Sequence, residues 1–373
     1  MAILQTNMNP HHYDTSKIFG FLESLRQEST RKSRFKATFF LFHSSASPIK
    51  VFEKNKHFEI KKDGDIPTCH FRPVFSHDLR KEKKQIMPGG DFYLFSLEEN
   101  LGIWAICSLQ EGEFNEKRIN RFFSYWRCPF TKSFLSSADI GKILINLRVK
   151  RLNSEVRSIR SVAYSRHKKA TINFDDYEIS ELLDQINVSN SYLSSIAFNL
   201  IVDNKQVLKA RINRSGDLVY NEGDINLFFD CCIVQAANIL RNKVVLLSNK
   251  NRKKYSDNVH PIQIKYGNDV FADKRANQKM VEALSSIKRT TFTVYHANPY
   301  FHGSLLDFKD GSSFDVYITS SKTISLIPSF QASAAAFSRV ISNIFETIEE
   351  GVILEEPLRK SIAFDDLVAS TNV

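Results

Sequence analysis

What the sequence lacks narrows it first. No run approaches the ~18 apolar residues that a bilayer-spanning helix needs, and Met1 to Asp14 is polar, with His11 and His12 and no apolar signal core. The expected location is therefore the cytoplasm, with no membrane partner. Cysteine is scarce. Cys69, Cys107, Cys128, Cys231 and Cys232 form no CxxC pair and no Cys/His set at zinc spacing. This argues against a structural zinc site and predicts reduced, buried thiols. Phosphate-cradling signatures are missing too: Gly141-Lys142 has no upstream glycine, and neither GxGxxG nor GxSxG occurs. No internal repeat and no long low-complexity segment is present.

What remains is globular. The chain has 373 residues, 42% hydrophobic and 25% charged, ordinary for packed domains and longer than one typical domain. The formal net charge is +10, which favours polyanionic partners without specifying a fold. That charge is local. Residues 1–116 carry 16 basic and 15 acidic side chains, and residues 170–373 carry 21 and 24. Residues 117–169 carry 14 basic side chains against only Asp139 and Glu155.

Periodicity predicts an opening helix from Thr15 to about Glu28, and strands at Phe35–His43, Ile49–Phe52 and His57–Ile60. A surface loop is expected over 61–90. A hairpin turned by Glu99-Asn100 follows. Ile119, Phe122, Phe123 and Trp126 form the apolar stripe of a helix over 115–126, with Lys117, Arg118 and Arg121 on its other side. Alternation of Ile143, Ile145, Leu147 and Val149 predicts a half-exposed strand. The wider spacing of Leu152, Val156, Ile159 and Ala163 suggests a helix, although Val162 and Tyr164 also fit a strand.

Beyond His167 the pattern gives a short helix to Ile186, a β-meander over 196–220, and an apolar helix over 225–240. Strands at 244–247 and 262–266, a helix over 273–288, and strands at 291–296, 305–308, 314–319 and 323–327 follow. The helix over 332–348 carries Phe337, Val340, Ile341, Ile344, Phe345 and Ile348 on one stripe, which packs on the last sheet or offers a homo-oligomer face. The tail beyond Gly351 reads as acidic and weakly ordered. The mixed order argues for an α+β fold: two domains of mixed, mainly antiparallel sheets with packed helices. The charge shift at Ser165–Lys169 divides them into 1–168 and 169–373.

A nucleic-acid groove needs cations for phosphates and, for single strands, aromatic faces on which bases stack. The basic stretch supplies both. After the amphipathic helix gives its aromatics to the core, the candidates for phosphate contact are Arg148, Lys150, Arg151, Arg157, Arg160, Arg166, Lys168 and Lys169. Tyr125, Phe130, Phe134 and Tyr164 are the candidate stacking residues. The bland reading is that these cations coat a solvated face, pair with the acidic C-terminal half, or dock an acidic protein partner.

Candidate chemistry is thinner. His167-Lys168-Lys169 before Asp175 resembles the HxK(x4)D pattern of phospholipase D-like enzymes, but Phe174 occupies the acid's place. Glu282 ahead of Asp307-x-Lys309 faintly resembles the restriction-type nuclease arrangement, in which acids hold magnesium beside a lysine. The acid expected between them is missing, and two carboxylates hold a hard cation poorly. His296 and His302, around a loop at Asn298-Pro299, are candidates for acid and base. The alternative function is therefore a metal-dependent nuclease or phosphoryl-transfer enzyme at 296–315, with Mg as cofactor. The leading expectation is a nucleic-acid-binding accessory or regulatory protein with no cofactor.

Overall fold

A computed structural model of the chain describes residues 15–30, 35–61, 66–71, 74–78, 83–87, 89–124, 130–150, 153–165, 170–248, 261–297, 300–329 and 331–355. The fold is α+β, and two compact units lie within residues 1–244 and 245–373, each with its own antiparallel sheet. The boundary expected near 165–175 instead falls between two strands that are hydrogen-bonded to each other within the first unit. A charge shift records surface composition, and here it does not mark a break in the backbone ladder. Among the described residues no helix is long and apolar enough to cross a membrane.

In the first unit, α1 (Thr15–Thr30) precedes β1 (Ala37–Ser44) and α2 (Pro48–Glu53). The segment expected as a strand at 49–52 is thus helical, because Pro48 stands in the first turn, where its missing N–H costs nothing. The strand expected at His57–Ile60 is β2 (Phe58–Lys61), and the expected loop over 61–90 contains β3 (Thr68–Phe71) and a two-stranded ribbon of β4 (Val74–Asp78) and β5 (Lys83–Met87). The hairpin is β6 (Gly90–Glu98) and β7 (Ile103–Ser108), turned through Gly102 at φ 63°. Only glycine fits there, because a Cβ would lie 2.0 Å from the Ser44 carbonyl oxygen.

A helical stretch follows, made of α3 (Gly112–Phe114), a π segment (Asn115–Asn120) and α4 (Arg121–Ser124), and then β8 (Phe130–Lys132). Next come α5 (Ser137–Val149), β9 (Ser154–Ser165), β10 (Thr171–Phe174) and α6 (Ile179–Val188). The strand expected at 143–149 is a helix, and the helix expected from Leu152 is a strand. The meander is β11 (Ser191–Val202), β12 (Lys205–Asn213) and β13 (Asp217–Gly223). A short helix α7 (Ile225–Phe228), a π segment (Phe229–Ile233) and α8 (Val234–Leu247) close the unit. The strand expected at 244–247 is the last turn of α8.

These strands form one sheet in the order β10-β9-β11-β12-β13-β1-β7-β6-β3-β2, with β8 added beside β1. One face of this sheet carries α1, α5, α6, α7 and α8, joined through a core of Phe39, Leu41, Ile143, Leu144, Leu182, Phe198, Leu208, Phe228 and their neighbours. Among the described residues of this unit, the other face is covered over only half its width. Above β1, β7, β6 and β3, a second core gathers Phe40, Phe42, Phe52, Phe58, Phe71, Phe92, Phe123 and Phe130. Its rings meet in tilted and edge-to-face pairs such as Phe58–Phe71 at 4.2 Å and Phe42–Phe130 at 4.8 Å, each worth about 0.5–1.5 kcal/mol beyond area burial. The matching face of β9, β11 and β12 carries exposed and half-exposed side chains.

The second unit has β14 (Ile262–Lys265), α9 (Lys274–Ser285), β15 (Thr290–His296), β16 (Phe301–Asp307), β17 (Ser313–Ser320), β18 (Thr323–Pro328), α10 (Ala334–Thr347) and β19 (Val352–Glu355). Its sheet runs β15-β16-β17-β18-β14-β19. The first part of the expected tail is therefore ordered as a strand on β14. Phe337, Val340, Ile341, Ile344 and Phe345 of α10 are buried, with Phe337 stacked on Phe314 at 5.0 Å. The stripe proposed as a homo-oligomer face thus serves the unit's own core.

Candidate nucleic-acid interface

α5 explains where the first predicted cations go. Ser136 accepts from the amide of Asp139 at 3.1 Å and Asp139 Oδ2 accepts from the amide of Ser136 at 2.9 Å, a reciprocal cap that fixes the helix start. Ile140, Ile143, Leu144 and Leu147 then face the core, which leaves Arg148 on the exposed side. Arg148 donates to Glu178 Oε1 at 3.0 Å, and the same carboxylate caps α6 by accepting from the Ser180 amide at 2.7 Å. Lys150, at the end of α5, is bonded to Asp230 Oδ2, and that bond raises its pKa. Both cations belong to the helical layer and both already hold a carboxylate.

β9 has a different exposure. Val156, Ser158, Ser161 and Ala163 point into the core, and a bulge at Ile159 shifts the phase between them. Arg157 and Arg160 point to the uncovered face. Arg157 Nε donates to Glu155 Oε1 at 3.0 Å and its Nη1 donates to Asp176 Oδ1 at 3.1 Å. The Asp176 bond, then the Glu155 bond, hold its pKa above the ordinary arginine value. Arg160 has no carboxylate partner among the described residues. Arg151, Arg166, Lys168 and Lys169 lie outside the described residues.

The register adds two cations that the sequence did not single out. Arg160 is the cross-strand neighbour of Ala197 on β11, and Ala197 is the neighbour of Arg211 on β12. One step along, Arg157, Asn199 and Lys209 form the next row. Arg211 is exposed and Lys209 half-exposed, and neither is paired with an acid among the described residues. Adjacent strands lie about 4.8 Å apart, so Arg160 and Arg211 rise from the sheet about 10 Å apart over the methyl of Ala197. Tyr164 and Tyr192 are cross-strand neighbours at the end of the same face, with ring centroids 5.8 Å apart. Arg214 lies 4.6 Å over Tyr192 and 4.5 Å over Phe134, which fixes this end of the platform.

Phe130, Arg118, Lys117 and Lys132 of the stretch are engaged elsewhere in the fold. Phe130 is fully buried, and Tyr125, Arg127 and Trp126 lie outside the described residues. Arg118, expected on the solvent side of its helix, is buried with its guanidinium 4.6 Å over the ring of Phe71. The π segment rotates it inward, which the simple helical wheel does not predict. Lys117 bonds Glu113 four residues earlier, and Lys132 bonds Asp217 at 2.5 Å.

The second candidate region is assembled differently from the nuclease expectation. Asp307 is 1% exposed, and its Oδ2 accepts from Arg339 Nε at 2.8 Å while its Oδ1 accepts from the Lys309 amide at 2.8 Å. Arg339 also reaches Asp310 at 3.4 Å. Glu282 is exposed on α9, and among the described residues no three His, Cys, Asp or Glu side chains are grouped to hold a metal. His296 and His302 are cross-strand neighbours. His302 lies against Tyr317 at 4.2 Å and Tyr295 at 4.8 Å, with no carboxylate bonded to it among the described residues. The chain matches no known protein family, and no curated protein is similar to it in sequence.

Proposed function

We propose that the chain binds single-stranded nucleic acid on the uncovered face of the first unit's sheet, as an accessory or regulatory protein. The observation that carries this reading is the pair Arg160 and Arg211, set side by side over Ala197 with no carboxylate on either among the described residues. Phosphates displace water and counterions from cations more readily than they displace a bonded carboxylate. The working contacts therefore move away from Arg148, Lys150 and Arg157 toward Arg160, Arg211 and Lys209. Tyr164 and Tyr192 add faces and edges for bases at the rim. Arg151, Arg166, Lys168 and Lys169 stay in the set on charge alone. The free, buried thiols of Cys69, Cys107, Cys231 and Cys232 suit a cytoplasmic setting.

The nuclease reading would require Asp307 to release Arg339 before it took a cation, and no observation favours that exchange. A salt titration of oligonucleotide affinity tests the proposal. Contact with Z phosphates gives a log–log slope of about −0.7Z for single strands. The double change Arg160→Glu with Arg211→Glu is expected to make that slope shallower and weaken binding. Unchanged affinity in that variant overturns the reading. Affinity for polyglutamate without affinity for DNA or RNA would instead identify an acidic protein partner.

A further inference from the structure

The half-exposed face of the second unit's sheet carries a row of rings that ends at Tyr317. One row runs across six strands, with His296, His302, Tyr317, Ser325, Gln263 and Leu354 as successive cross-strand neighbours. His302 and Tyr317 are stacked at 4.2 Å with an interplanar angle of 11°, and Tyr295 leans on the other side of His302 at 4.8 Å with its ring tilted by 44°. The next position beyond Tyr317 is Ser325, whose side chain is too short to reach ring height. The following side chain, Gln263, stands about two strand spacings from Tyr317, near 10 Å. A spacing of that size matches one aromatic ring laid against Tyr317.

We propose that this slot, walled by Tyr317 and Gln263 and floored by Ser325, binds a nucleobase. Stacked rings favour another flat π-system over an aliphatic chain, since the quadrupoles reward offset-parallel packing. The slot also has hydrogen-bonding groups for a ring edge. The Ser325 hydroxyl, the Gln263 amide and the Tyr317 hydroxyl form no hydrogen bond with any other described residue, though all three side chains are only half-exposed. A heteroaromatic ring would satisfy the first two with its ring nitrogens and exocyclic groups while stacking on the third residue's face. The site lies wholly within the second unit. It deepens the nucleic-acid reading by adding base contact, and it rests on that reading only for the choice of ligand.

The test uses the full-length chain and adenosine, which has a base and no phosphate, followed by saturation-transfer NMR. Transfer should be stronger to the adenine protons than to the ribose protons. Ser325→Trp, which fills the gap with the protein's own ring, should abolish it. Tyr317→Ala should weaken binding about 5- to 100-fold, the range for loss of one base–aromatic stack, and Tyr317→Phe should retain it. The Arg160→Glu, Arg211→Glu variant should bind adenosine normally, so failure of the phosphate face and failure of the slot are read separately. No transfer at millimolar adenosine, or transfer retained in a folded Ser325→Trp protein, overturns the assignment.

Discussion

Arg160 and Arg211 stand on either side of Ala197, each its registered neighbour across an antiparallel strand pair. Two like charges about 10 Å apart in water repel by about 0.4 kcal/mol, and physiological salt screens most of that. The pair therefore adds charge density to an open face at little cost to folding.

Arg211→Gln is accordingly expected to leave the unfolding free energy measured in urea within about 0.5 kcal/mol of the parent protein. The same change should reduce the magnitude of the salt slope of single-strand binding by about 0.7, one phosphate contact. Paired chemical denaturation and fluorescence anisotropy check both. A large loss of stability would mean that Arg211 holds the sheet together instead of serving a ligand.

Lys132 and Asp217 behave differently. They meet at 2.5 Å with side chains only 19% and 11% exposed, and burial pulls the lysine pKa down against the pull of Asp217. Asp217→Asn leaves a half-desolvated ammonium without its countercharge, so the expected loss is about 2–4 kcal/mol. Adding Lys132→Met to that variant should recover part of the loss, as measured by a double-mutant cycle.

Asp307→Ala separates a structural role from a catalytic one. Arg339 loses its main partner in a largely buried position, so the second unit should lose about 3–5 kcal/mol. Thermal unfolding followed by circular dichroism reads this directly. A protein with unchanged stability and a lost magnesium-dependent cleavage activity would restore the nuclease reading.

Burial holds the imidazole pKa of His43 below its ordinary value. The unfolded chain takes up that proton near pH 6.5, whereas the folded chain resists until a lower pH. The contribution is thus fully present above about pH 6.5 and is lost as the pH falls through the folded value. The urea midpoint should drop as the pH falls below about 6.5, and His43→Gln should flatten that part of the profile.

The sequence announced its hairpins and amphipathic helices well, because the signals there are local. The meander over 191–223, the turn at Asp203-Asn204 with both residues at positive φ, and α9 behind its Asp273 cap all follow from short-range pattern. The stretch 137–165 misled for two identifiable reasons. Ile143, Ile145, Leu147 and Val149 alternate, but Ile140, Ile143, Leu144 and Leu147 also satisfy a helix, and the reciprocal Ser136–Asp139 cap decides for the helix. On β9 the bulge at Ile159 breaks the alternation in mid-strand and leaves spacings that imitate a helical repeat. The basic residues were visible as a run, but their partners were not. Asp176, Glu178 and Asp230 neutralise three of them from 19 to 80 positions away. Arg211 and the Tyr317–Ser325 gap exist only through strand register, which no single segment encodes.

β1 has a consequence for how the chain emerges from the ribosome. Its side chains alternate between two cores, with Ala37, Phe39 and Leu41 in one and Phe40 and Phe42 in the other. One edge of the strand is covered by β7 and the Phe42–Ser44 end of the other by β8, but its Ala37–Phe40 end waits for β13, roughly 110 residues after β7. At about 5–20 residues per second that is roughly 5–22 s during which one end of a Phe-rich strand has a bare edge. Holdase chaperones should therefore associate with nascent chains that end between β7 and β13, and release them once Asp217–Gly223 has cleared the exit tunnel.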